Sequence, residues 1–143
     1  MIVLDTNIVS ELTRPHPNPE VVHWFDSQVR GDLYTTVITV SELFYGAGLV
    51  QATEVRDRIS RDNNSVLEQF FPGRILNLDE SAAREYAEIL AHNQLVGVSV
   101  HRHDCMIAGI ARVNSAPVAT RNVRDFRRCG VSVINPWGTT ANP

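Results

Sequence analysis

Five short apolar runs, separated by stretches with helical spacing, constrain the fold of this chain more than any other feature. The runs cover residues 1–5, 33–37, 75–78, 116–120 and 131–134. Short and nearly continuous apolar runs are typical of strands that are buried on both faces. Because helical stretches lie between them, the pattern predicts the α/β class, with a parallel central sheet of four to five strands flanked by helices.

Polar residues that cap helices precede several of the intervening stretches. Asn18 stands before Pro19, and Asp79 stands before an apolar pattern with helical spacing. A break is expected within the longest helix, at Asn63 and Asn64. The predicted helices cover 6–12, a stretch that begins at 18, and the ranges 41–50, 53–71, 80–95 and 104–113.

The length of 143 residues fits one domain with a sizeable core. We assign this domain to residues 1–137 and treat 138–143 as a C-terminal tail. No apolar run approaches the roughly 18 residues of a membrane span, and the start lacks the basic and apolar segments of a secretion signal. A cytoplasmic protein without membrane association is therefore expected, and two cysteines with no disulfide framework agree with it.

The net charge of −3 conceals an asymmetry along the chain. Residues 101–143 contain six arginines and two acids, a net charge of +4, so residues 1–100 carry −7. The chain has no lysine, and the planar guanidinium of arginine matches phosphate oxygens well. The basic part fits either phosphate binding or an ordinary solvated surface. Four of its arginines surround Asp125 in the sequence: Arg121, Arg124, Arg127 and Arg128.

Four acids lie at predicted strand ends or helix starts, where parallel sheets bind their ligands. Each acid alone has a structural explanation. Glu42 and Asp104 would stabilise the positive end of a helix dipole, and Asp125 could pair with its arginines. Asp5 is harder to explain in this way, because it directly follows an apolar strand. Together the four carboxylates would repel one another unless a cation neutralises them.

An oxygen-only set of ligands favours Mg²⁺ or Mn²⁺ over zinc. Magnesium binds through a few carboxylates together with water and substrate phosphate. Nearby arginines could hold the flanking phosphates. The combination predicts metal-assisted cleavage of a phosphodiester.

Four segments, in this order, resemble the PIN-domain ribonucleases and, more closely, the VapC-type toxins of bacterial toxin–antitoxin pairs. They are IVLDTNIVSEL from Ile2, TVSELFYG from Thr39, HDCMIAGIA from His103 and ATRNVRDF from Ala119, with VINPW closing the domain. The resemblance covers nearly the whole chain. It implies a single PIN-like domain that cleaves RNA with Mg²⁺ or Mn²⁺. It also implies a VapB-type antitoxin, a homodimer, a toxin–antitoxin hetero-oligomer, and contact with operator DNA only through the antitoxin.

The resemblance also assigns roles to individual residues. The catalytic and metal-binding carboxylates fall on Asp5, Glu42, Asp104 and Asp125. The residues that would position substrate, or that could instead only cap strand ends and turns, are Thr6, Asn7, Thr120 and Asn122. The residues expected to contact RNA or the antitoxin are Arg121, Arg124, Arg127 and Arg128.

One segment departs from the family pattern. Family members often have a small residue or a proline-containing turn before the third acid, and this chain has His101, Arg102 and His103. The departure concerns the local loop shape and the substrate preference more than the acid itself. Zinc is an alternative ligand here, because His101, His103 and Cys105 alternate. Such alternation in an extended loop is nevertheless poorly suited to one tetrahedral site.

Three other functions fit parts of the pattern. An aspartyl-nucleophile phosphatase also begins with an acid at a strand end, but it usually has a second Asp where this chain has Asn7. No phosphate-cradling glycine loop is present either. A non-catalytic module could use the same acids to bind a stabilising metal. A PIN-like nuclease outside any toxin pair would share the site without the antitoxin.

Overall fold

All five apolar runs form strands in the computed structural model, which describes residues 1–138. The strands pair in parallel in the order β3-β2-β1-β4-β5, so the predicted α/β class and parallel central sheet are confirmed. Apart from Gly138, the predicted tail lies outside the described residues. The strands are β1 (Ile2–Leu4), β2 (Leu33–Thr36), β3 (Ile75–Leu76), β4 (Val118–Ala119) and β5 (Val133–Ile134).

Seven α-helices accompany these strands within residues 1–138, and a 3-10 turn at Arg30–Asp32 precedes β2. All six helices predicted from the sequence are present. The seventh, at Val123–Arg128, was not predicted. None of these helices is long and apolar enough to cross a membrane. The helices are α1 (Thr6–Leu12), α2 (Pro19–Ser27), α3 (Val37–Gly48), α4 (Thr53–Phe70), α5 (Glu80–Leu95), α6 (Arg102–Val113) and α7 (Val123–Arg128).

Two details of the helices differ from the prediction. Helix α3 begins at Val37 rather than Ser41, because the Thr36 hydroxyl caps it by accepting the backbone N–H of Thr39 at 3.1 Å. The predicted break in α4 is wrong. The Asn63 side chain is buried, and its amide donates to the Leu43 carbonyl of α3 at 3.2 Å, so it joins two helices and does not interrupt its own.

Strand β1 lies at the centre of the sheet and is buried on both faces. Leu4 belongs to a core cluster that includes residues of α1, α2, α3 and α4. Val3 points to the opposite cluster, which includes residues of α5, α6 and α7. The apolar start of the chain is therefore the layer on which both groups of helices pack, and the residue that follows it is fixed in position.

Helices α5 and α6 pack closely at Gly109. A Cβ atom on this glycine would lie 2.7 Å from the Ala82 carbonyl oxygen and 2.9 Å from the Tyr86 backbone nitrogen. Both atoms belong to the backbone of α5, so no side-chain rotation could relieve the contact. This glycine therefore sets the distance between α5 and the helix that carries Asp104.

We expect Gly109→Ala to lower the free energy of unfolding by about 2 kcal/mol or more, because the added methyl group forces α5 and α6 apart. Gly46→Ala in α3 is the matched control, since a Cβ there meets no described atom within 4 Å other than its chain neighbours and the backbone of its own helix. The control should be neutral or more stable by about 0.5–1 kcal/mol. Urea unfolding measures both, and equal stability of the two variants would contradict the close packing.

Candidate active site

The carboxyl ends of β1 and β4 bring two polar side chains together. The chain leaves β1 for β2 on one side of the sheet and later returns to β4 on the other side. Such a switch in direction is where open α/β sheets bind ligands. Asp5 directly follows β1 and Thr120 directly follows β4, and the Thr120 hydroxyl donates to Asp5 Oδ2 at 2.7 Å.

The Asp5 carboxylate is held by two further donors. The backbone N–H of Thr6 donates to Oδ1 at 2.7 Å, so Asp5 is also the N-cap of α1. The Asn7 amide donates to Oδ2 at 2.8 Å. Only 4% of Asp5 is exposed. The sequence places this acid at a strand end, and three hydrogen bonds fix its orientation.

Burial raises the pKa of Asp5 to about 6 from its ordinary value of 3.8. The hydrogen bonds from Thr120 and Thr6 lower this pKa, while the charges of Asp104 and Glu42 raise it. The three acids therefore belong to one electrostatic unit. At neutral pH the site holds a buried anion that neighbouring anions destabilise.

Glu42 reaches this unit from the middle of α3. It is the sixth residue of that helix, so the helix-dipole explanation does not apply to it. The Thr6 hydroxyl donates its one proton to Glu42 Oε1 at 2.8 Å, and its oxygen lies 3.2 Å from the Thr39 hydroxyl oxygen. The sequence pattern alone does not single out Thr39, although it lies about one helical turn before Glu42. The Thr6 hydroxyl therefore contacts a carboxylate of another helix, while Thr6 itself is the first residue of α1.

Asp104 lies in the first turn of α6, as predicted. The Asn122 side-chain amide donates to its Oδ2 at 2.8 Å, and the Asn122 backbone N–H donates to the Thr120 hydroxyl at 2.9 Å. Hydrogen bonds therefore run without a gap from Asp5 through Thr120 and Asn122 to Asp104. Burial raises the pKa of Asp104, and nearby His101 lowers it; Glu42 and Asp125 raise it further, against the Asn122 hydrogen bond.

Asp125 lies at the edge of the site, in the first turn of the unpredicted helix α7. Its Oδ1 is 3.4 Å from Arg124 Nε and 3.9 Å from Arg128 Nη1. Its charge raises the pKa of Asp104. Asp125 therefore joins two features that the sequence left as alternatives, an arginine cluster and a carboxylate site.

The four predicted arginines occupy the surface beside this edge. Arg121 follows Thr120, and its backbone N–H donates to Asn7 Oδ1 at 3.2 Å. Its guanidinium lies 5.5 Å from the centroid of the Trp137 ring. The other three, Arg124, Arg127 and Arg128, are exposed on α7.

The residues before Asp104 do not form the extended loop that the sequence predicted. His101 is the N-cap of α6, and the helix begins at Arg102. Cys105 is buried, and its Sγ lies 3.9 Å from Sγ of the buried Cys129. His103 is separate from this pair, with its Nδ1 3.5 Å from Glu42 Oε2. His103 and Cys105 therefore cannot bind one zinc ion together, because Cys105 faces the core while His103 faces the carboxylates.

This architecture and sequence are shared with known proteins. The PIN domain family matches residues 2–131. The chain belongs to the PIN-domain family. The toxin FitB of Neisseria gonorrhoeae and the plasmid stability protein StbB of Pseudomonas syringae pv. tomato are each 39% identical to this PIN domain over 137 residues. Each alignment covers 96% of this chain and 99% of the relative.

Two further comparisons extend the likeness. A VapC ribonuclease, Y4jK of Sinorhizobium fredii, is 36% identical over 137 residues, which is 96% of this PIN domain and 98% of the relative. The crystal structure of FitAcB from Neisseria gonorrhoeae matches with a TM-score of 0.86 at 40% identity, over 96% of this chain and 99% of that chain. A structure of FitAB bound to an IR36 DNA fragment matches over the whole of both chains, with a TM-score of 0.85 and 38% identity.

The carboxylate oxygens in this site are ligands that suit a hard divalent ion, although they are not arranged as a complete coordination site. Within residues 1–138, no three His, Cys, Asp or Glu side chains already lie close enough together to hold a metal ion. Asp5, Glu42 and Asp104 nevertheless present oxygen atoms and interact electrostatically. Magnesium retains several waters and needs few protein ligands. The fit therefore rests on the donor chemistry of these three acids and on their mutual electrostatic repulsion.

We expect the metal-free PIN domain to lose stability as the pH rises from about 4 to about 6. The pKa of Asp5 is higher in the folded state than its ordinary value, so the folded state binds the proton more tightly. The stabilising contribution is complete below the ordinary pKa and is lost as the pH passes the folded pKa. Its size is about 3 kcal/mol.

Asp5→Asn should remove this part of the pH dependence. Urea unfolding in the presence of a chelator, at several pH values across this interval, measures the effect. Asp57→Asn, at an exposed position of α4, controls for the loss of one negative charge. If Asp5→Asn and the unchanged chain lose stability in parallel over this interval, the raised pKa of Asp5 is refuted.

Proposed function

We propose that this PIN domain is a metal-dependent endoribonuclease, the toxin of a toxin–antitoxin pair. The observation that carries this proposal is the buried Asp5 carboxylate, held by three donors at the switch point of the sheet and close enough to two other acids to be destabilised by them. Buried carboxylates with raised pKa values in one cleft are a common feature of catalytic sites. The ribonuclease and toxin names of the relatives support the same function.

Each polar residue has a proposed part that follows from its contacts. Thr120 and Asn7 both donate to Asp5 Oδ2 and so keep the Asp5 carboxylate in one orientation. Thr6 orients Glu42, and Asn122 orients Asp104. Side chains that hold the carboxylates in place by hydrogen bonds reduce the movement that the carboxylates must make when a substrate phosphate binds.

The residues that would hold Mg²⁺ or Mn²⁺ are Asp5, Glu42 and Asp104, with Asp125 at the edge. When bound, the ion would lower the pKa of water and offset the charge that develops on the cleaved phosphate. With an ion bound, the carboxylates would fix the position of the scissile phosphate, and the arginines of α7 would hold flanking phosphates. Water attacks in line with the leaving oxygen, so the substrate 2′-hydroxyl is not required as the nucleophile.

The proposed partners follow from the relatives. FitB is named as a toxin and Y4jK as a VapC ribonuclease, and a structure of FitAB is described as bound to DNA. We infer a VapB-type antitoxin that covers the carboxylates, a homodimer that assembles with it, and contact with operator DNA through the antitoxin alone. A cytoplasmic location agrees with an RNA substrate.

Asp5→Asn should abolish RNA cleavage while the chain remains folded. Chelation with EDTA should stop the unchanged enzyme, and Mg²⁺ or Mn²⁺ should restore it. A pool of labelled RNA, analysed for metal-dependent fragments, measures both effects, and Asp57→Asn should cleave normally. Calorimetric titration with Mn²⁺ gives a second result that does not depend on cleavage, since Asp5→Asn should weaken ion binding.

The outcomes separate the alternatives. Binding of Mn²⁺ without any RNA fragments would indicate a non-catalytic metal-binding module. Cleavage that continues in EDTA would refute the metal-dependent chemistry. Cleavage without growth arrest on induction in cells, or arrest that no neighbouring antitoxin gene relieves, would indicate a PIN-like nuclease outside a toxin pair.

We expect Arg124→Ala to weaken RNA binding and to reduce its salt dependence. Loss of one phosphate contact lowers the slope of log K against log salt by about 0.7 for single strands. Fluorescence anisotropy in EDTA, at several salt concentrations, measures the slope. Arg58→Ala on α4 is the control, because this exposed arginine lies on the other side of the sheet. An unchanged slope would show that Arg124 does not contact RNA phosphate and belongs to an ordinary solvated surface.

A further inference from the structure

A second concave site lies between α5, α6 and α7, beyond the carboxylates. It is a cavity of about 700 Å³, which we call the α5–α7 cavity. None of the four acids of the candidate active site lines it. Its charged and ionisable wall is formed mainly by His92, Arg112, Arg127 and Arg128, and Glu88 is the acid among its lining residues.

The charge of the α5–α7 cavity is only partly compensated. Arg112 Nη1 lies 3.0 Å from Glu85 Oε2, so one guanidinium has a carboxylate partner. Arg128 is shared with Asp125 at 3.9 Å. Arg127 has no carboxylate within 4.0 Å among residues 1–138. Uncompensated guanidinium groups in a concave site favour an anion with several oxygen acceptors.

The α5–α7 cavity is connected to the active site by the surface of α7. Arg128 also lines a groove of about 550 Å³, together with His101, Arg124 and Asp125. A third depression, of about 500 Å³, is bordered by Arg124, Arg127 and Arg128. Neighbouring hollows therefore share arginines, and the series begins at Asp125 and ends at Arg112. We call this series the α7 track.

We propose that the α5–α7 cavity binds a backbone phosphate of the RNA strand, remote from the cleaved bond. This inference rests on the proposed function, which places a phosphodiester at the carboxylates. A strand that continues from there along the α7 track meets an arginine at each hollow and reaches the cavity without leaving the surface. The contact would not depend on the base sequence, because guanidinium groups in such a site bind phosphate oxygens.

The length of the RNA separates the cavity from the active site. A single-stranded RNA of about twelve nucleotides is long enough to contact the active site and the α5–α7 cavity at once, whereas one of about three nucleotides is too short to do so. We expect Arg127→Ala to weaken binding of the longer RNA about fivefold, and to weaken binding of the shorter RNA less. Fluorescence anisotropy with non-hydrolysable RNA analogues in the presence of Mn²⁺, which offsets the repulsion between the carboxylates and a phosphate, measures both affinities, and Arg58→Ala should change neither.

Glu88 allows a test in the opposite direction. Removing its negative charge from the wall of the cavity should strengthen binding of the longer RNA, by about threefold at low salt. Glu88→Gln conserves the shape of an exposed side chain, so loss of folding does not imitate the result. Glu54→Gln, at an exposed position of α4, is the matched control and should leave the affinity unchanged.

Each outcome supports or overturns the inference. A longer RNA that binds more weakly to Arg127→Ala and more tightly to Glu88→Gln supports it. Equal effects of Arg127→Ala on both RNAs would overturn it and leave the proposed function intact. Failure of the unchanged chain to bind either RNA would overturn both. A polyglutamate peptide that loses affinity on Arg127→Ala, while RNA does not, would overturn it in favour of an acidic protein segment.

Discussion

The arrangement of the site depends on the hydrogen bond between Thr120 and Asp5, at the centre of the sheet. It joins the carboxyl ends of β1 and β4, the two strands between which the chain changes direction across the sheet. Its acceptor is a carboxylate whose burial raises its pKa to about 6. Folding therefore places a negative charge where water is largely excluded, and the core on both faces of β1 must supply the free energy that this arrangement requires.

The neighbouring side chains take their orientation from this pair. Asn122 binds both Thr120 and Asp104, so the position of α6 relative to the sheet and that of the third acid are coupled. Glu42 is connected through Thr6, which follows Asp5 in the chain. The acids thus come from separate parts of the chain, yet hydrogen bonds connect Glu42 to the end of β1 through Thr6, and Asp104 to it through Asn122 and Thr120. A change at one of them is expected to be felt at the others.

Much of this arrangement could be predicted from the sequence, because burial on both faces leaves a central strand little choice of composition. The runs at the five strands and the acid after β1 follow from that constraint. The start of α3 could not be predicted, since the Thr36 side chain replaces a backbone partner there. Helix α7 was missed because it is six residues long and arginine-rich, and only Phe126 is buried. The contact of His103 with Glu42 joins residues far apart in sequence.

The two kinds of charge in the site have different physical consequences. Asp5 is destabilised by anions around it, whereas Asp125 lies within 4 Å of two arginines. A polyanion is thus attracted along α7 and repelled at Asp5 unless a divalent ion is present. In the proposed function, RNA affinity is set by exposed guanidinium groups and depends on salt. The affinity for the proposed ion would be set by buried carboxylates and would depend on pH, because the ion would compete with protons there. If the proposed function holds, RNA binding and bond cleavage would therefore vary independently in the same fold.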